Sequence, residues 1–322
     1  MTGPQASADR YSRSGSIPPC AVVTLNFNGA AFLADMIESV APQLASTGSR
    51  LAVFDNGSTD GSDRLVEERF GGEEWFSIRR SPVNLGFAAG ANEALSGLRE
   101  EVVVLANSDT VFLPGSLDAL LQGLARHPRA ALAGPKLLWP DGTLQPSMRD
   151  FPFPCALIRE HIPFRSRLSA RYSSHASERR ADWLVGAVMA IRTGMFRETG
   201  GFDTDYFFYH EETDLQYRFR EKGMEVWFIP SSCVVHIEGG SAQAVYGRDT
   251  TLRYISAKLR FLRKHGSPLD AACFRLLMSA MHLGRAAVGI VRPGKALRDV
   301  RFSRSYCSEA LKELRDVSSR SG

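Results

Sequence analysis

The chain has 322 residues, enough for one large α/β domain or two smaller ones. Hydrophobic residues make up 44% and charged residues 23%, which is ordinary for a soluble globular protein and excludes a wholly disordered, collagen-like or small disulfide-framework protein. The net charge of +4 conceals an asymmetry, because residues 245–322 carry 16 Lys and Arg against 6 Asp and Glu, whereas the preceding residues carry 23 against 29. A basic tail on an acidic body indicates an anionic partner for the tail, either nucleic acid or a phospholipid surface.

The first 19 residues are rich in Ser, Gly, Pro and Arg and predict a disordered leader. They contain no apolar run of the kind that forms the core of a signal peptide. The five cysteines are scattered and form no Cys-x-x-Cys pair, so neither a zinc ribbon nor a thioredoxin-type site is expected. Together these features predict a reduced chain in the cytoplasm.

From residue 20 the sequence alternates between short apolar runs and longer stretches that favour helix. The apolar runs predict buried strands at residues 21–25, 51–54, 102–106 and 130–133. The stretches between them predict helices near residues 30–44, 60–70, 88–98 and 114–125. Short apolar strands separated by helices of this length indicate βαβ units, and therefore an α/β domain with a parallel sheet.

The pattern changes after Gly134. Residues 137–144 predict a hairpin that turns at Asp141-Gly142, and residues 151–182, rich in Pro, Arg and Ser, predict an irregular excursion. The remaining predicted elements are a strand over 183–191, a helix over 212–222 closed by Gly223, a short strand ending at His236 and helices beyond residue 249.

Polar clusters follow three of the predicted strands. They occupy residues 26–29, 55–60 and 107–109 and combine amides, carboxylates, serine and glycine. Ligands of a doubly wound sheet bind at the carboxyl ends of its strands, so the three clusters are expected at one edge, where they would form a binding site. Turns and helix N-caps use the same residue types, so each cluster alone also fits a structural role.

Asp109 follows a strand that is hydrophobic throughout. A carboxylate in that place can hold a divalent cation that keeps water and phosphate oxygens as its other ligands, although Pro114 just beyond leaves open a helix N-cap or turn. The chain has no Gly-x-Gly-x-x-Gly after the first strand and no P-loop motif, which argues against dinucleotide and P-loop phosphate binding. Residues 84–92 instead form a glycine-containing turn into a helix, which can approach an anion such as a diphosphate.

The densest group of candidate catalytic residues lies in residues 200–215, where aromatic side chains alternate with carboxylates. Glu211 and Glu212 belong to the first turn of the predicted helix, where acids also simply complement the helix dipole. Burial beside aromatic residues raises the pKa of a carboxyl group and the helix N-terminus lowers it, so one of the two can be a general base. His236, which ends a strand shortly before Gly239-Gly240-Ser241, is either a site residue or a structural histidine.

Taken together, these motifs resemble those of inverting glycosyltransferases of family 2, which have the GT-A fold, in the branch that includes bacterial rhamnosyltransferases. The resemblance covers about residues 20–265 in family order and spacing. The matching stretches are residues 22–26, 55–60, 84–92, 105–109, 141–145, 182–187, 200–215 and 236–241. It implies a mostly parallel central sheet flanked by helices, followed here by a helical C-terminal extension.

The resemblance also implies a role for each site residue. The residues that would bind the donor are Asn26, Asp55, Asn56, Asn84, Gly86, Asn107, Asp109, Asp182 and Trp183, of which the last two would line the sugar pocket. Asp109 would also bind a divalent cation, Mg²⁺ or Mn²⁺, with His236 as a second ligand of the metal or the diphosphate. Glu212 would be the general base, with Glu211 beside it.

Two positions depart from the family pattern. The metal motif is Asn107-Ser108-Asp109 and not Asp-x-Asp, so it supplies one carboxylate. The base position holds Glu212 where the family usually has Asp, so its carboxyl group is one methylene further from the backbone. One metal-binding acid, one base and a nucleotide pocket suffice for a direct displacement that inverts the anomeric centre through an oxocarbenium-like state.

The C-terminal region contains the most apolar stretch of the chain, residues 271–291. Its length fits a bilayer, but three basic residue positions lie inside it, and a central Arg costs about 2.5–3.5 kcal/mol on insertion. The apolar residues near one helical face are Phe274, Leu277, Met278, Met281 and Val288. The pattern predicts an amphipathic helix that either packs on the catalytic domain or lies on an anionic membrane surface, helped by Arg292, Lys295, Arg298, Arg301 and Arg304.

These observations predict three regions: a leader over 1–19, a catalytic domain over 20–247 and a basic helical extension over 248–322. The expected function is transfer of a sugar, rhamnose from dTDP-rhamnose first and a UDP-sugar next, to a glycan or polyprenyl-linked acceptor in cell-surface polysaccharide synthesis. The expected location is the cytoplasm, peripheral on the cytoplasmic face of the plasma membrane. The tail has no recognisable nucleic-acid motif, so no nucleic-acid partner is expected.

Two other functions are compatible with the sequence. A nucleotidyltransferase, which makes a sugar nucleotide, usually carries a Gly-rich basic loop after its first strand, and residues 26–29 do not form one. A non-catalytic module that binds carbohydrate or nucleotide would not require Asp109, Glu212 and His236 together.

Overall fold

A computed structural model of the chain describes residues 19–156, 175–237 and 250–288. The predicted leader, the middle of the predicted excursion, the predicted domain boundary at 247/248 and the basic residues from 292 onward lie outside the described residues. The chain forms two compact units. The first contains residues 1–151 and 167–253, and the second contains residues 152–166 and 254–322.

Strands and helices alternate along most of the first unit. Its strands are β1 (Cys20–Asn26), β2 (Arg50–Asp55), β3 (Phe76–Arg80), β4 (Val102–Asn107), β5 (Thr110–Phe112), β6 (Ala130–Leu138), β7 (Leu144–Gln145), β8 (Met148–Arg149), β9 (Arg179–Arg180), β10 (Trp183–Leu184), β11 (Val188–Arg192) and β12 (Glu225–His236). Its helices are α1 (Leu33–Thr47), α2 (Ser62–Phe70), α3 (Phe87–Leu95), α4 (Ser116–Arg126), α5 (Thr193–Thr199) and α6 (Glu211–Glu221). The predicted end of α6 is confirmed, because Gly223 follows it with a φ of 72°.

Most of these strands form one central sheet. Its order is β3-β2-β1-β4-β11-β6-β12-β5, with β7 beside β6 and β9 beside β12. The β3-β2-β1-β4 half is parallel, as the βαβ pattern predicts. In the other half β6 and β12 are parallel, whereas β11 runs antiparallel to both β4 and β6 and β5 runs antiparallel to β12.

Helices cover both faces of this sheet. Val22 and Val104 belong to the core that includes α1, α2 and α4, while the neighbouring Val23 and Leu105 belong to the core that includes α3, α5 and α6. Successive residues of a strand point to opposite faces, so β1 and β4 are apolar at nearly every position before their last residue, with the buried Thr24 of β1 as the exception. Polar side chains are therefore concentrated at the strand ends, where the candidate site lies.

The predicted hairpin at Asp141-Gly142 is present between β6 and β7. The side chain of Asp141 accepts hydrogen bonds from the amide and the hydroxyl group of Thr143, at 2.9 and 2.6 Å. Gly142 has a φ of 80°, which glycine adopts without strain. The turn sets the register in which Leu137 pairs with Gln145.

The stretch predicted as one strand over 183–191 is divided. β10 pairs with β8 in a separate two-stranded sheet, and β11 belongs to the central sheet. Gly186, in the turn between them, lies so close to Glu212 that a Cβ there would be 3.2 Å from the Glu212 side chain. The break follows from a tertiary contact with α6, which strand propensity does not encode.

The described part of the second unit contains α7 (Thr250–His265), which begins at its border, and α8 (Pro268–Val288). The ring of Phe153 lies 5.7 Å from that of Phe261 on α7, and the ammonium group of Lys258 lies 5.7 Å from the centre of the Phe274 ring on α8. Among the described residues, no helix is both long enough and apolar enough to cross a membrane.

The predicted apolar face of α8 is buried or half-buried. Phe274 is only 1% exposed, and Leu277, Met278 and Met281 are half-buried. Among the described side chains of α8, Leu269, Leu276 and Leu283 are the large apolar residues that are exposed.

Candidate active site

The polar clusters after β1 and β2 are in direct contact, because these strands are neighbours and Asn26 pairs with Asp55. The buried amide group of Asn26 donates hydrogen bonds to Asp55 Oδ1 at 2.9 Å, to Ser58 Oγ at 3.1 Å and to Ser62 Oγ at 2.8 Å. Asp55 Oδ2 accepts a further bond from the Ser58 amide at 3.0 Å. Asn26 and Asp55 thus fix the loop after β2, and both lie at the edge predicted for donor binding.

A second hydrogen-bonded loop contains Asn84 and Gly86. The amide nitrogen of Asn56 donates to Asn84 Oδ1 at 3.2 Å and to the Gly86 carbonyl at 3.1 Å, while Asn56 Oδ1 accepts from the Leu85 amide at 3.0 Å. Asn56 is 2% exposed, so its side chain supports the loop from the interior of the protein and does not face solvent. These hydrogen bonds fix the backbone of residues 84–86, which is predicted to lie along the donor nucleotide.

The same loop also contacts residues 202–207, the segment that precedes Glu211 and Glu212. Gly86 has a φ of 82°, and a Cβ there would lie 2.7 Å from the carbonyl oxygen of Phe207, which accepts a hydrogen bond from the Phe87 amide at 2.8 Å. One helical turn later, the amide group of Asn92 exchanges two hydrogen bonds with the backbone of Phe202, at 2.8 and 2.9 Å. The loop at residues 84–86 and α3 therefore position residues 202–207.

Glu211 and Glu212 begin α6, directly after Tyr209 and His210, whose φ values of 73° and 64° are unusual for residues other than glycine. Glu211 is buried and Glu212 is half-buried. Each has one buried carboxylate oxygen with no hydrogen-bond partner among the described residues. Such oxygens are costly to bury and are free to accept a proton or a hydrogen bond from a ligand.

The pKa values of both acids are raised. Burial and the nearby charge of Glu212 raise the pKa of Glu211 well above the ordinary value of a glutamate, and burial also raises the pKa of Glu212. The desolvation expected from the sequence therefore outweighs the helix dipole. An acid whose pKa is shifted toward neutrality can serve as a general base at physiological pH.

Glu212 is joined to the end of β4 by the turn between β10 and β11. Its side chain lies against Gly186, and the next residue, Ala187, accepts a hydrogen bond from the Asn107 amide at 2.8 Å. Gln216, one turn beyond Glu212, exchanges two hydrogen bonds with the backbone of β10, at 2.7 and 2.8 Å. Two successive residues, Gly186 and Ala187, thus connect the predicted base to the end of β4, two residues before Asp109.

Asp109 and His236 lie side by side. Asp109 is 3% exposed, and its Oδ1, which has no hydrogen-bond partner among the described residues, is 3.6 Å from His236 Nε2. His236 is adjacent because β12 pairs with β5, which places it opposite Thr110. Its other ring nitrogen, Nδ1, is 3.0 Å from Gln145 Oε1.

This pair fits a divalent cation. A buried carboxylate oxygen with no hydrogen-bond partner, facing an imidazole nitrogen, is a donor set that Mn²⁺ and Mg²⁺ accept. In the part of the chain that the structure describes, no group of three or more His, Cys, Asp or Glu residues could form a complete cage. The remaining ligands would be water and phosphate oxygens.

Asp182 and Trp183 occupy the border of the site. Asp182 Oδ2 accepts a hydrogen bond from the Phe151 amide at 3.3 Å, and its carboxylate lies 4.0 Å from Arg220. Trp183 is 7% exposed, and its indole nitrogen donates to the carbonyl of Asp150 at 2.9 Å. Both residues fasten residues 150–151 next to α6, and their predicted contact with the sugar stays a prediction.

Gln145 and Gln216 were not among the predicted site residues. Both are buried amides that contact site elements from distant parts of the chain. The only sequence feature that pointed to Gln145 is its position at the end of residues 141–145, a stretch that matches the family pattern. Gln216 has no motif of its own, although it lies on the inner face of α6 one turn after Glu212.

Comparison with known proteins adds family information to this geometry. A family model described as glycosyl transferase family 2 matches residues 21–192. An N-acetylglucosaminyl-diphospho-decaprenol L-rhamnosyltransferase of Mycobacterium tuberculosis is 34% identical over 218 residues, which are 61% of this chain and 67% of that protein. The rhamnosyltransferase WbbL of Escherichia coli is 25% identical over 118 residues, which are 35% of this chain and 45% of that protein.

The fold is also similar to that of solved structures. A crystal structure of GalNAc-T7 with UDP, GalNAc and Mn²⁺ has a TM-score of 0.56 and 16% sequence identity, and the match covers 76% of this chain and 48% of that one. At this identity the similarity concerns the fold alone.

Proposed function

The chain belongs to glycosyl transferase family 2 and is a glycosyltransferase with the GT-A fold, and we propose that it transfers rhamnose to a lipid-linked acceptor. The donor is dTDP-rhamnose, and the acceptor is N-acetylglucosamine on a polyprenyl diphosphate. The rhamnosyl group and the acceptor follow the activity in the name of the mycobacterial relative, and the dTDP nucleotide follows the resemblance to bacterial rhamnosyltransferases. A UDP-sugar is the second choice of donor.

The single observation that supports catalysis at this edge is the continuity between Glu212 and the end of β4. Glu212 contacts Gly186, and the adjacent Ala187 is hydrogen-bonded to Asn107, two residues before Asp109. A base and a cation-binding acid on one edge are what a sugar transfer from a nucleoside diphosphate needs.

Each residue then has a chemical task. Glu212 accepts the proton of the acceptor hydroxyl as that oxygen attacks the anomeric carbon, and the diphosphate leaves from the opposite face, which inverts the anomeric centre. Glu211, whose pKa is raised further by the charge of Glu212, stays protonated beside it. The strand-end loops around Asp55 and Asn84 hold the nucleotide.

Asp109 and His236 would hold a divalent cation, Mg²⁺ or Mn²⁺, which would neutralise charge that develops on the departing phosphates. The support in this chain is the buried Oδ1 of Asp109, which has no hydrogen-bond partner among the described residues and lies 3.6 Å from His236 Nε2.

A lipid-linked acceptor requires the protein to work at a membrane surface. The described part of α7 and α8 carries six basic side chains and one acidic side chain, and Leu269, Leu276 and Leu283 are exposed at intervals of seven residues on α8. An apolar stripe on a basic unit fits peripheral contact with anionic lipid.

A panel of sugar nucleotides, incubated with the purified chain and Mg²⁺ or Mn²⁺, tests this function. We expect slow hydrolysis of dTDP-rhamnose above that of the other donors, and its loss in Asp109→Asn and in the presence of EDTA. Faster turnover of another sugar nucleotide would overturn the choice of donor. Hydrolysis that survives both treatments would overturn the metal role of Asp109.

A further inference from the structure

Gln145 lies beside His236 because of the register of three strands. The Asp141-Gly142 hairpin pairs Gln145 with Leu137, and Leu137 pairs on its other side with Val234 of β12. Residues paired across strands share a face of the sheet, as do residues two apart on one strand, so Gln145, Val234 and His236 share one face. The turn thus places the Gln145 side chain next to the imidazole.

The orientation of the Gln145 side-chain amide selects which ring nitrogen of His236 carries the proton. The amide presents Oε1 to Nδ1 at 3.0 Å, and because an oxygen can only accept a hydrogen bond, this orientation places the hydrogen on Nδ1. The neutral imidazole then has its lone pair on Nε2, which faces Asp109 Oδ1 at 3.6 Å. The lone pairs of His236 Nε2 and Asp109 Oδ1 repel each other in the absence of a cation. A divalent cation between the two atoms would turn this repulsion into attraction to the cation.

We infer that Gln145 is a positioning residue for the cation site: it holds His236 in the tautomer whose Nε2 can bind a divalent cation together with Asp109. The inference rests on the metal role proposed above for Asp109 and His236. Gln145 is itself 5% exposed and His236 6%, so water does not replace this bond easily. Partners of this kind orient metal-binding histidines and typically change metal affinity by about 10–100-fold when removed.

The test uses the full chain with two substitutions that separate positioning from packing. Gln145→Leu keeps most of the volume and removes the acceptor, whereas Gln145→Glu keeps an acceptor for the Nδ1 hydrogen. Gln43→Leu is the matched control, because Gln43 is a buried amide that binds the backbone of Leu113 and Leu117. If Gln145→Leu does not fold, Gln145→Asn, whose shorter side chain cannot reach the imidazole, takes its place.

Two readouts need no sugar transfer. The ¹⁵N shifts of the His236 ring in metal-free protein report the tautomer, with His236→Asn for assignment, and electron paramagnetic resonance reports the affinity for Mn²⁺ alone. We expect the Nδ1–H tautomer in the wild type and in Gln145→Glu, and its loss in Gln145→Leu with about 10–100-fold weaker Mn²⁺ binding. Gln43→Leu should match the wild type in both readouts.

Two results would overturn the inference: Gln145→Leu with the wild-type tautomer and Mn²⁺ affinity, or Gln145→Glu as weak as Gln145→Leu. Failure of the proposed function looks different. A wild type that transfers no sugar, while the tautomer and Mn²⁺ affinity respond as expected, would overturn the rhamnosyl transfer and leave the role of Gln145 standing.

Discussion

Glu211 and Glu212 differ in what surrounds them, and this difference supports the separate roles proposed for them. Glu212 is half-buried beside the turn at Gly186, whereas Glu211 is buried and its pKa is raised further by the charge of Glu212. The more accessible acid is the one that an acceptor hydroxyl can reach. The more buried acid is the one that keeps its proton.

The base assignment predicts a graded series. Glu212→Gln keeps size and hydrogen bonding but cannot accept a proton, so sugar transfer should fall by about 10²–10⁴-fold with little change in donor binding. Glu211→Gln should lose less, and Glu212→Asp shows whether the site requires the longer side chain. Steady-state transfer rates and donor affinity by calorimetry check the series. A dead Glu211→Gln beside a mild Glu212→Gln would assign the base to the neighbouring residue.

The raised pKa of Glu211 predicts a pH-dependent stability. Because the folded state binds this proton more tightly than the unfolded state, its stabilising contribution is complete below about pH 4.3 and is lost as the pH rises toward the folded-state pKa. Glu211→Gln removes this loss, so it should be more stable than the wild type at pH 8 and nearly equal to it at pH 4.5. Urea unfolding at both pH values measures the difference. An equal difference at both would contradict the burial of an ionisable group.

At the scale of elements, the parallel half-sheet could be predicted because strands buried on both faces are continuous apolar runs. β3 could not, because it is an edge strand whose Arg79 and Arg80 form ion pairs with neighbouring helices. The strand-end clusters were predictable for the same topological reason. The roles of Gln145 and Asn92 were not, because their partners lie 91 and 110 residues away in the sequence.

Arg218 holds α6 to the segment that precedes it and forms an ion pair within the helix. Arg218 donates to Asp214 Oδ2 at 2.7 Å and to the carbonyls of Thr199 and Gly201, both at 2.7 Å, and the Asp214 side chain is fully buried. Arg218→Ala removes the cation from an ion pair whose carboxylate is fully buried, and breaking a buried pair typically costs about 3–5 kcal/mol. Denaturant unfolding should show a loss of this size.

The half-exposed pair of Arg79 and Glu93 provides the control. Arg79→Ala should cost less than about 1 kcal/mol, because water screens such pairs. Equal losses in the two variants would contradict a special role for the Arg218 contact.

At the scale of the whole molecule, the charge asymmetry of the sequence corresponds to a basic second unit, and the exposed leucines of α8 lie outside the apolar face that the helical pattern indicated. The periodicity of residues 271–291 identifies a helix, but it does not reveal which side packs inside the unit. Phe274, on the predicted apolar face, is buried and is therefore not available to lipid. Burial within a helical unit depends on its partner helix, which no local pattern contains.

The exposed stripe predicts how the full chain meets lipid. It should sediment with vesicles that contain anionic phospholipid, and added salt should weaken this binding because salt screens the basic groups. The double substitution Leu276→Glu and Leu283→Glu should abolish it, whereas Leu65→Glu, at an equally exposed leucine of the first unit, should not. A wild type that stays in the supernatant would contradict membrane contact.

We propose that this chain transfers rhamnose by a single displacement at the edge formed by Asp109 and Glu212. A time course by nuclear magnetic resonance, with dTDP-rhamnose, Mn²⁺ and a polyprenyl-diphosphate-linked N-acetylglucosamine, follows both substrates and the product. We expect a rhamnosylated acceptor whose anomeric configuration is opposite to that of the donor. Intact donor and acceptor after prolonged incubation with folded protein would rule out this transfer, and a product of retained configuration would rule out the single displacement.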